Sequence, residues 1–148
     1  MKKINHVLLI DDDVIINMIN NRVIEISEQV TKITAVSSAE EALTLLNNLI
    51  RIDQTEFPAF IFLDINMPEM DGWEFLQVFA EFSKEILLMS KVIVLTSSID
   101  ASDLKKAKNN ALIFDFISKP LSLEIFNHVV DPNHQRFSIN KESLMPIY

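Results

Sequence analysis

Residues 59–72, AFIFLDINMPEMDG, organise the reading of the whole chain. Five apolar residues, Ala59-Phe60-Ile61-Phe62-Leu63, follow Pro58 and stop at a carboxylate, Asp64. A short apolar run bounded by a proline and an acid reads as a strand buried on both faces. A loop follows, Ile65 to Gly72. Within it Asp71, three residues before Glu74, is placed to cap a helix that carries Phe75, Leu76, Phe79 and Phe82.

The same alternation runs outward in both directions. Upstream, His6-Val7-Leu8-Leu9-Ile10 ends at Asp11-Asp12-Asp13. Behind it Ile16, Ile19, Val23, Ile26 and Val30 recur at steps of three and four, the stripe expected of an amphipathic helix. Ile33-Thr34-Ala35-Val36 reads as a short strand, and Ser38-Ala39-Glu40-Glu41 as a capping box ahead of Ala42, Leu46, Leu49 and Ile50. Downstream, Lys91-Val92-Ile93-Val94-Leu95 ends at Thr96-Ser97-Ser98. Asp100 is placed to cap a helix with Leu104, Ala107 and Ala111. Ile113-Phe114-Asp115-Phe116-Ile117 is a fifth strand, followed by Ser118-Lys119-Pro120, with Pro120 suited to open a last helix bearing Ile125, Phe126 and Val129. Five strand–helix units with apolar strands predict an α/β fold: a doubly wound, five-stranded parallel sheet with helices on both faces. Right-handed crossovers favour the order 2-1-3-4-5, in which ligands sit outside the carboxyl ends of the strands.

Composition narrows the chemistry. The chain has 148 residues, room for one domain, and no cysteine, which excludes disulfide scaffolds, thiolate metal sites and cysteine nucleophiles. Thirteen Lys+Arg against twenty-one Asp+Glu give a net charge of −8, the wrong sign for bulk attraction to nucleic acid. No apolar run reaches the ~20 residues of a membrane span, and the three early aspartates rule against a leader peptide. The expected location is the cytoplasm. With one glycine in the chain, a glycine-rich phosphate cradle is excluded, so any phosphate site must be built from side chains. The strand ends supply them: Asp11, Asp12 and Asp13, then Asp64, then Thr96 and Ser97, then Lys119. Crowded carboxylates favour a hard, oxygen-seeking cation such as Mg²⁺, a lysine suits a phosphate oxygen, and a hydroxyl can donate to another. This inventory fits phosphoryl transfer onto an aspartate. His6, His128 and His134 have neither metal spacing nor a nucleophile beside them and read as structural or surface residues.

Leu8-Leu9-Ile10-Asp11-Asp12, the segment Leu63 to Gly72, Thr96-Ser97 and Lys119-Pro120 together resemble the receiver domain of two-component response regulators, a flavodoxin-like fold. The resemblance covers residues 4 to about 130. It implies that Asp64 is the phosphoacceptor and that Asp12 ligates Mg²⁺ directly. Asp11 would assist through water, and Asn66 would add its backbone carbonyl. It implies that Thr96 binds the phosphoryl group, that Lys119 pairs with one of its oxygens and precedes a cis bond to Pro120, and that Phe116 is the switch aromatic. The donor would be a histidine kinase or a histidine phosphotransfer protein. The output would pass to a downstream protein partner through the surface formed by the helix after the fourth strand, the fifth strand and the last helix.

The expectation is therefore a phosphorelay module with no turnover of an external substrate. Residues 1–130 form the receiver domain and residues 131–148 a C-terminal tail, without a separate output domain. Two alternatives use the same residues. An aspartyl-phosphate phosphatase would place a second acid two residues after the nucleophile, where this chain has Asn66. A pseudo-receiver would bind partners without phosphorylation.

Overall fold

The computed structural model describes residues 3–97 and 100–137. Ser98 and residues 138–148 of the expected tail lie outside them. The apolar runs form five parallel strands, β1 Ile4–Ile10, β2 Val30–Val36, β3 Phe60–Asp64, β4 Lys91–Thr96 and β5 Ile113–Ser118. Their order is β2-β1-β3-β4-β5, as the crossover argument predicts. Alternate residues along each strand feed two cores. Leu8, Ile10, Ile61, Leu63, Val92, Val94 and Phe116 pack on one face with α2 (Ala39–Ile52), α3 (Gly72–Phe79) and α5 (Ala101–Lys108). Val7, Leu9, Phe62, Ile93, Leu95 and Ile117 pack on the other with α1 (Val14–Ser27) and α6 (Leu123–Val130). Each fully buried side chain of this size contributes about 1.5–3 kcal/mol of transfer free energy.

α1 does not face the sheet along the expected stripe. Its buried residues are Asn17, Asn20 and Ile24, while Ile19 and Ile26 are 43% and 53% exposed, and Val30 opens β2 instead of closing the helix. The helix is turned by one residue, about 100°. The cause is polar: from this orientation the two amides reach backbone groups at the carboxyl ends of the strands. Asn17 Nδ2 donates to the carbonyls of Asp11 and Val36 at 2.9 and 3.1 Å, and Asn20 Oδ1 accepts from the N–H of Leu121 at 3.2 Å. Val14, Ile15 and Met18, which lie off the expected stripe, are 62–67% exposed.

Other helix ends also depart from expectation. Ser38 caps α2 through Glu41 N, but the Glu41 carboxylate takes the Ser37 hydroxyl instead of closing the box. Asp71 and Glu74 do form the complete box at α3. Phe82 falls beyond α3, ahead of a four-residue helix, α4 (Lys84–Leu87), that the sequence reading did not single out. Ala111 lies beyond α5. Ser122, not Pro120, starts the last helix, because its hydroxyl accepts the N–H of Ile125.

Residues 131–137 lie against β5. The His134 ring meets the buried carboxylate of Asp115 at 2.7 Å, Arg136 donates to the carbonyls of Ile113, Asn110 and Lys108, and Phe137 N donates to Phe114 O. Phe137 is itself buried in the core that holds Phe116.

His6 is fully buried in β1. Its Nδ1 faces the carbonyl of Glu56, which can only accept, so Nδ1 carries the proton and Nε2 accepts from the Thr34 hydroxyl at 2.7 Å. Burial first, then the charge of Lys32, hold its pKa below 6.5, against the opposing pull of the Glu56 carbonyl and carboxylate. The unfolded chain therefore binds this proton more readily. Its contribution to stability should be intact above pH 6.5 and decline as pH falls below that value. Urea unfolding of wild type and His6→Gln between pH 8 and 5 checks this. The variant should lose less stability on acidification, and parallel pH profiles would contradict the assignment.

Candidate functional site

Three aspartates follow β1, and the chain gives each a different position. Asp11 is 2% exposed; its N–H donates to Val36 O, and its Oδ1 accepts from Asp13 N at 2.9 Å. Asp13 caps α1, accepting from the N–H groups of Ile15 and Ile16. Asp12, between them, is exposed. Asp64 ends the central strand beside β1 and is 3% exposed, with Oδ1 fixed by the N–H of Asn66 at 3.1 Å. Carboxylate oxygens of Asp11, Asp12 and Asp64 lie within 4.8 Å of one another, the arrangement that could hold a metal ion among the described residues.

Lys119 faces this group from the end of β5. Its Nζ lies 2.6 Å from Asp11 Oδ2 and 3.4 Å from Asp64 Oδ2, and its bond to Pro120 is cis. Burial works to lower the Lys119 pKa, but the hydrogen bond and charge of Asp11 and the charge of Asp64 outweigh it, so the ammonium is held above its ordinary value. Asp64 moves the other way for a carboxylate: burial, then the negative charge of Asp11, push its pKa from 3.8 up to about 6, against the Asn66 N–H and Lys119. One ammonium does not neutralise three acids. The donor set is all oxygen, and Asp11 Oδ2 has no aligned hydrogen-bond donor besides that ammonium. These residues fit a hard divalent cation.

The loop beneath Asp64 explains the single glycine. Gly72 N donates to Ile65 O at 3.0 Å, and a Cβ on Gly72 would stand 2.6 Å from Ile65 Cα and 2.9 Å from Asp64 O. A side chain there would push the main chain that carries Asp64.

An open cleft of about 440 Å³ is lined by Asp11, Asp12, Asp13, Asp64, Asn66, Ser97, Lys119, Pro120 and Ile16. The structure thus gathers Asp11, Asp12, Asp64, Asn66 and Lys119. Thr96 does not line the cleft. It is 1% exposed behind Ser97, and its carbonyl accepts the N–H of Lys119 at 2.7 Å. Phe116 is fully buried. Val94 pairs with Phe116 and Thr96 with Ser118, so Thr96 and Phe116 point to the same face of the sheet from neighbouring strands. Sequence reasoning missed Asn17 and Asn20. The signal was present as two polar residues at helical spacing inside an otherwise apolar segment.

Residues 7–131 match the family described as the response regulator receiver domain, and the chain belongs to that family. Membership makes it a phosphorelay signalling module of two-component systems, served in general by a kinase or phosphotransfer partner. A crystal structure of a two-component response regulator from Cytophaga hutchinsonii is 36% identical, with a TM-score of 0.81 over 86% of this chain and 95% of that one. A receiver protein from Dyadobacter fermentans DSM 18053, at 22% identity and a TM-score of 0.75 over 85% and 94% of the two chains, shares the fold. Among curated proteins, the probable C4-dicarboxylate response regulator DctR of Bacillus subtilis (strain 168) is 30% identical over 129 residues, 87% of this chain and 52% of that protein. A protein-glutamate methylesterase/protein-glutamine glutaminase of Trichodesmium erythraeum (strain IMS101) is 27% identical over 95% of this chain and 40% of its own length. The chain spans about half the length, or less, of these curated relatives. No helix among the described residues is long and apolar enough to cross a membrane.

The raised pKa of Asp64 has a cost. Because the folded value of about 6 exceeds the unfolded 3.8, stability is lost as pH rises through that window, and at pH 7 the whole cost is present. Full linkage would set it at ~3 kcal/mol, and screening by water in the open cleft reduces it to roughly 1 kcal/mol. Asp64→Asn should therefore melt a few degrees above wild type at pH 7 in the absence of divalent cations. A lower or unchanged melting temperature would contradict the electrostatic account.

Proposed function

We propose that the chain is a phosphorylation-controlled switch in which Asp64 accepts a phosphoryl group from a histidine kinase or histidine phosphotransfer protein. The supporting observation is the convergence of Asp11, Asp12, Asp64 and Lys119 on one cleft at the carboxyl ends of β1, β3 and β5. Asp64 attacks phosphorus in line with the bond to the donor nitrogen. That bond breaks, the nitrogen keeps the electron pair, and an acyl phosphate forms on Asp64. Lys119 meets a developing negative oxygen, and the Thr96 hydroxyl donates to another. Asp11, Asp12, Asp64 and the Asn66 carbonyl would hold Mg²⁺. When bound, the ion supplies positive charge that lowers the Asp64 pKa and offsets the charge of the transferring group. Water later hydrolyses the acyl phosphate, so no external metabolite is turned over.

Output is a surface. Drawing Thr96 toward the phosphoryl group leaves space on the sheet face it shares with Phe116. Rotation of Phe116 into that space would bias the surface of α5, β5 and α6 toward a downstream protein partner. Residues 1–130 act as the receiver unit in the cytoplasm, with 131–137 fastened to β5. The donor meets α1, whose exposed Val14, Ile15, Met18 and Ile19 continue directly from Asp12 and Asp13 at the cleft.

Incubation with acetyl phosphate and Mg²⁺, followed by intact-mass measurement, should show a gain of one phosphoryl group in wild type and none in Asp64→Asn. A gain that persists in the variant would overturn the role of Asp64. Met18→Asp should slow phosphorylation by a cognate protein donor at least tenfold yet leave acetyl phosphate labelling unchanged. Equal rates with the protein donor would remove α1 from the docking surface.

A further inference from the structure

The turn that carries Lys119 is held from two sides. Pro120 has no N–H, so the main chain of Lys119-Pro120-Leu121 offers two donors. Lys119 N donates to Thr96 O at 2.7 Å, which ties the turn to β4. Leu121 N donates to Asn20 Oδ1 at 3.2 Å, which ties it to α1 across 101 residues of sequence. Leu121 is 2% exposed and Asn20 1%, so neither group has water as a ready substitute. The donor also settles the amide: an N–H requires an acceptor, so the oxygen of Asn20 faces Leu121. Burying an amide on the inner face of a helix is costly unless it bonds, and α1 gives up an apolar contact at this position to make that bond. Lys119 Nζ projects from the same turn to within 2.6 Å of Asp11 and 3.4 Å of Asp64.

We infer that Asn20 is a positioning residue for phosphoryl transfer, fixing the backbone of Leu121 and through it the reach of the Lys119 ammonium toward Asp64. The inference rests on the reading of Lys119 as the group that meets the phosphoryl oxygen. Asn20 makes no contact with the phosphoryl group in this account. Without its oxygen, the buried N–H of Leu121 loses its acceptor, and the turn relaxes toward water. A misplacement of about 1 Å at a reacting centre can cost ~100-fold in rate.

The test is a double-mutant cycle on the phosphorylation rate with acetyl phosphate at saturating Mg²⁺, using wild type, Asn20→Leu, Lys119→Ala and the double variant. Asn20→Leu keeps similar volume and removes the acceptor, and it should slow phosphorylation about 10- to 100-fold. The double variant should be no slower than Lys119→Ala within about twofold, because the role of Asn20 runs through the lysine. Asn20→Asp, which retains an oxygen at the same place, should recover the rate to within a few-fold. Should Asn20→Leu prove unfolded by circular dichroism, Asn20→Ala takes its place in the same cycle. A wild-type rate in the acceptor-less variant overturns the inference, as do losses that multiply in the double variant. A wild-type rate in Lys119→Ala instead overturns the reading of Lys119 on which it stands, so the two failures are distinguishable.

Discussion

Three carboxylates held within 4.8 Å of one another beside one ammonium set the terms for the rest of this protein. Like charges at that distance repel, and burial weakens the hydration that would shield them. The chain answers by fixing the two buried acids with backbone hydrogen bonds and leaving Asp12 exposed. Asp11 accepts from Asp13 N, Asp64 accepts from Asn66 N, and Asp13 is diverted to cap α1. What remains unbalanced is expressed at Asp64, whose pKa rises to about 6. Asp64 therefore keeps its proton to a higher pH than an ordinary aspartate, and positive charge placed among these oxygens would oppose that shift. The protonation of Asp64 and the charge of its neighbours are thereby linked through a single electrostatic constraint.

Holding that arrangement requires rigid supports, which come from unequal parts of the chain. The strands supply position, because parallel pairing of β1, β3 and β4 brings their carboxyl ends to one rim. The loop after β3 supplies closeness, since only a glycine at position 72 permits the approach to Ile65 and Asp64. α1 supplies orientation by spending two inward positions on amides. The same choice leaves Ile19 and Ile26 partly outside, beside the exposed Val14, Ile15 and Met18, so an internal polar requirement enlarges an external apolar face. Internal packing and the character of the exposed surface are connected at that helix.

Much of this was legible in the amino-acid order. The apolar runs ending in Ile10-Asp11, Leu63-Asp64 and Leu95-Thr96 marked the strands and their polar ends, because a two-face-buried strand has few other patterns. The cleft residues Asp11, Asp12 and Asp64 followed from those ends and Lys119 from the end of the fifth run, while Asn66 came only with the family resemblance. The orientation of α1 did not follow, for a physical reason. Val14, Ile15, Ile16, Met18, Ile19, Val23, Ile24 and Ile26 make it apolar nearly all round, so periodicity offered several stripes and could not weigh two hydrogen-bonding asparagines against them. α4 was missed because Phe82 and Ile86 continue the spacing of α3 across the break. The attachment of 131–137 was missed because a histidine, an arginine and a phenylalanine carry no period. Their partners, Asp115, Ile113 and Phe114, are known only once β5 is in place.

That attachment has a consequence for how the sheet meets other chains. β2 and β5 are its two borders, and a border strand is a template for strand addition and aggregation. Along β5, the chain covers its own border: Arg136 and Phe137 occupy the carbonyls of Ile113 and Phe114, and His134 closes over Asp115. β2 is defended differently, by the charge of Lys32 beside exposed Thr31. Lateral growth is thus opposed by a peptide plug over the first half of β5 on one side and by charge on the other. Salt, which screens Lys32 but not a packed phenylalanine, should act on the two borders unequally.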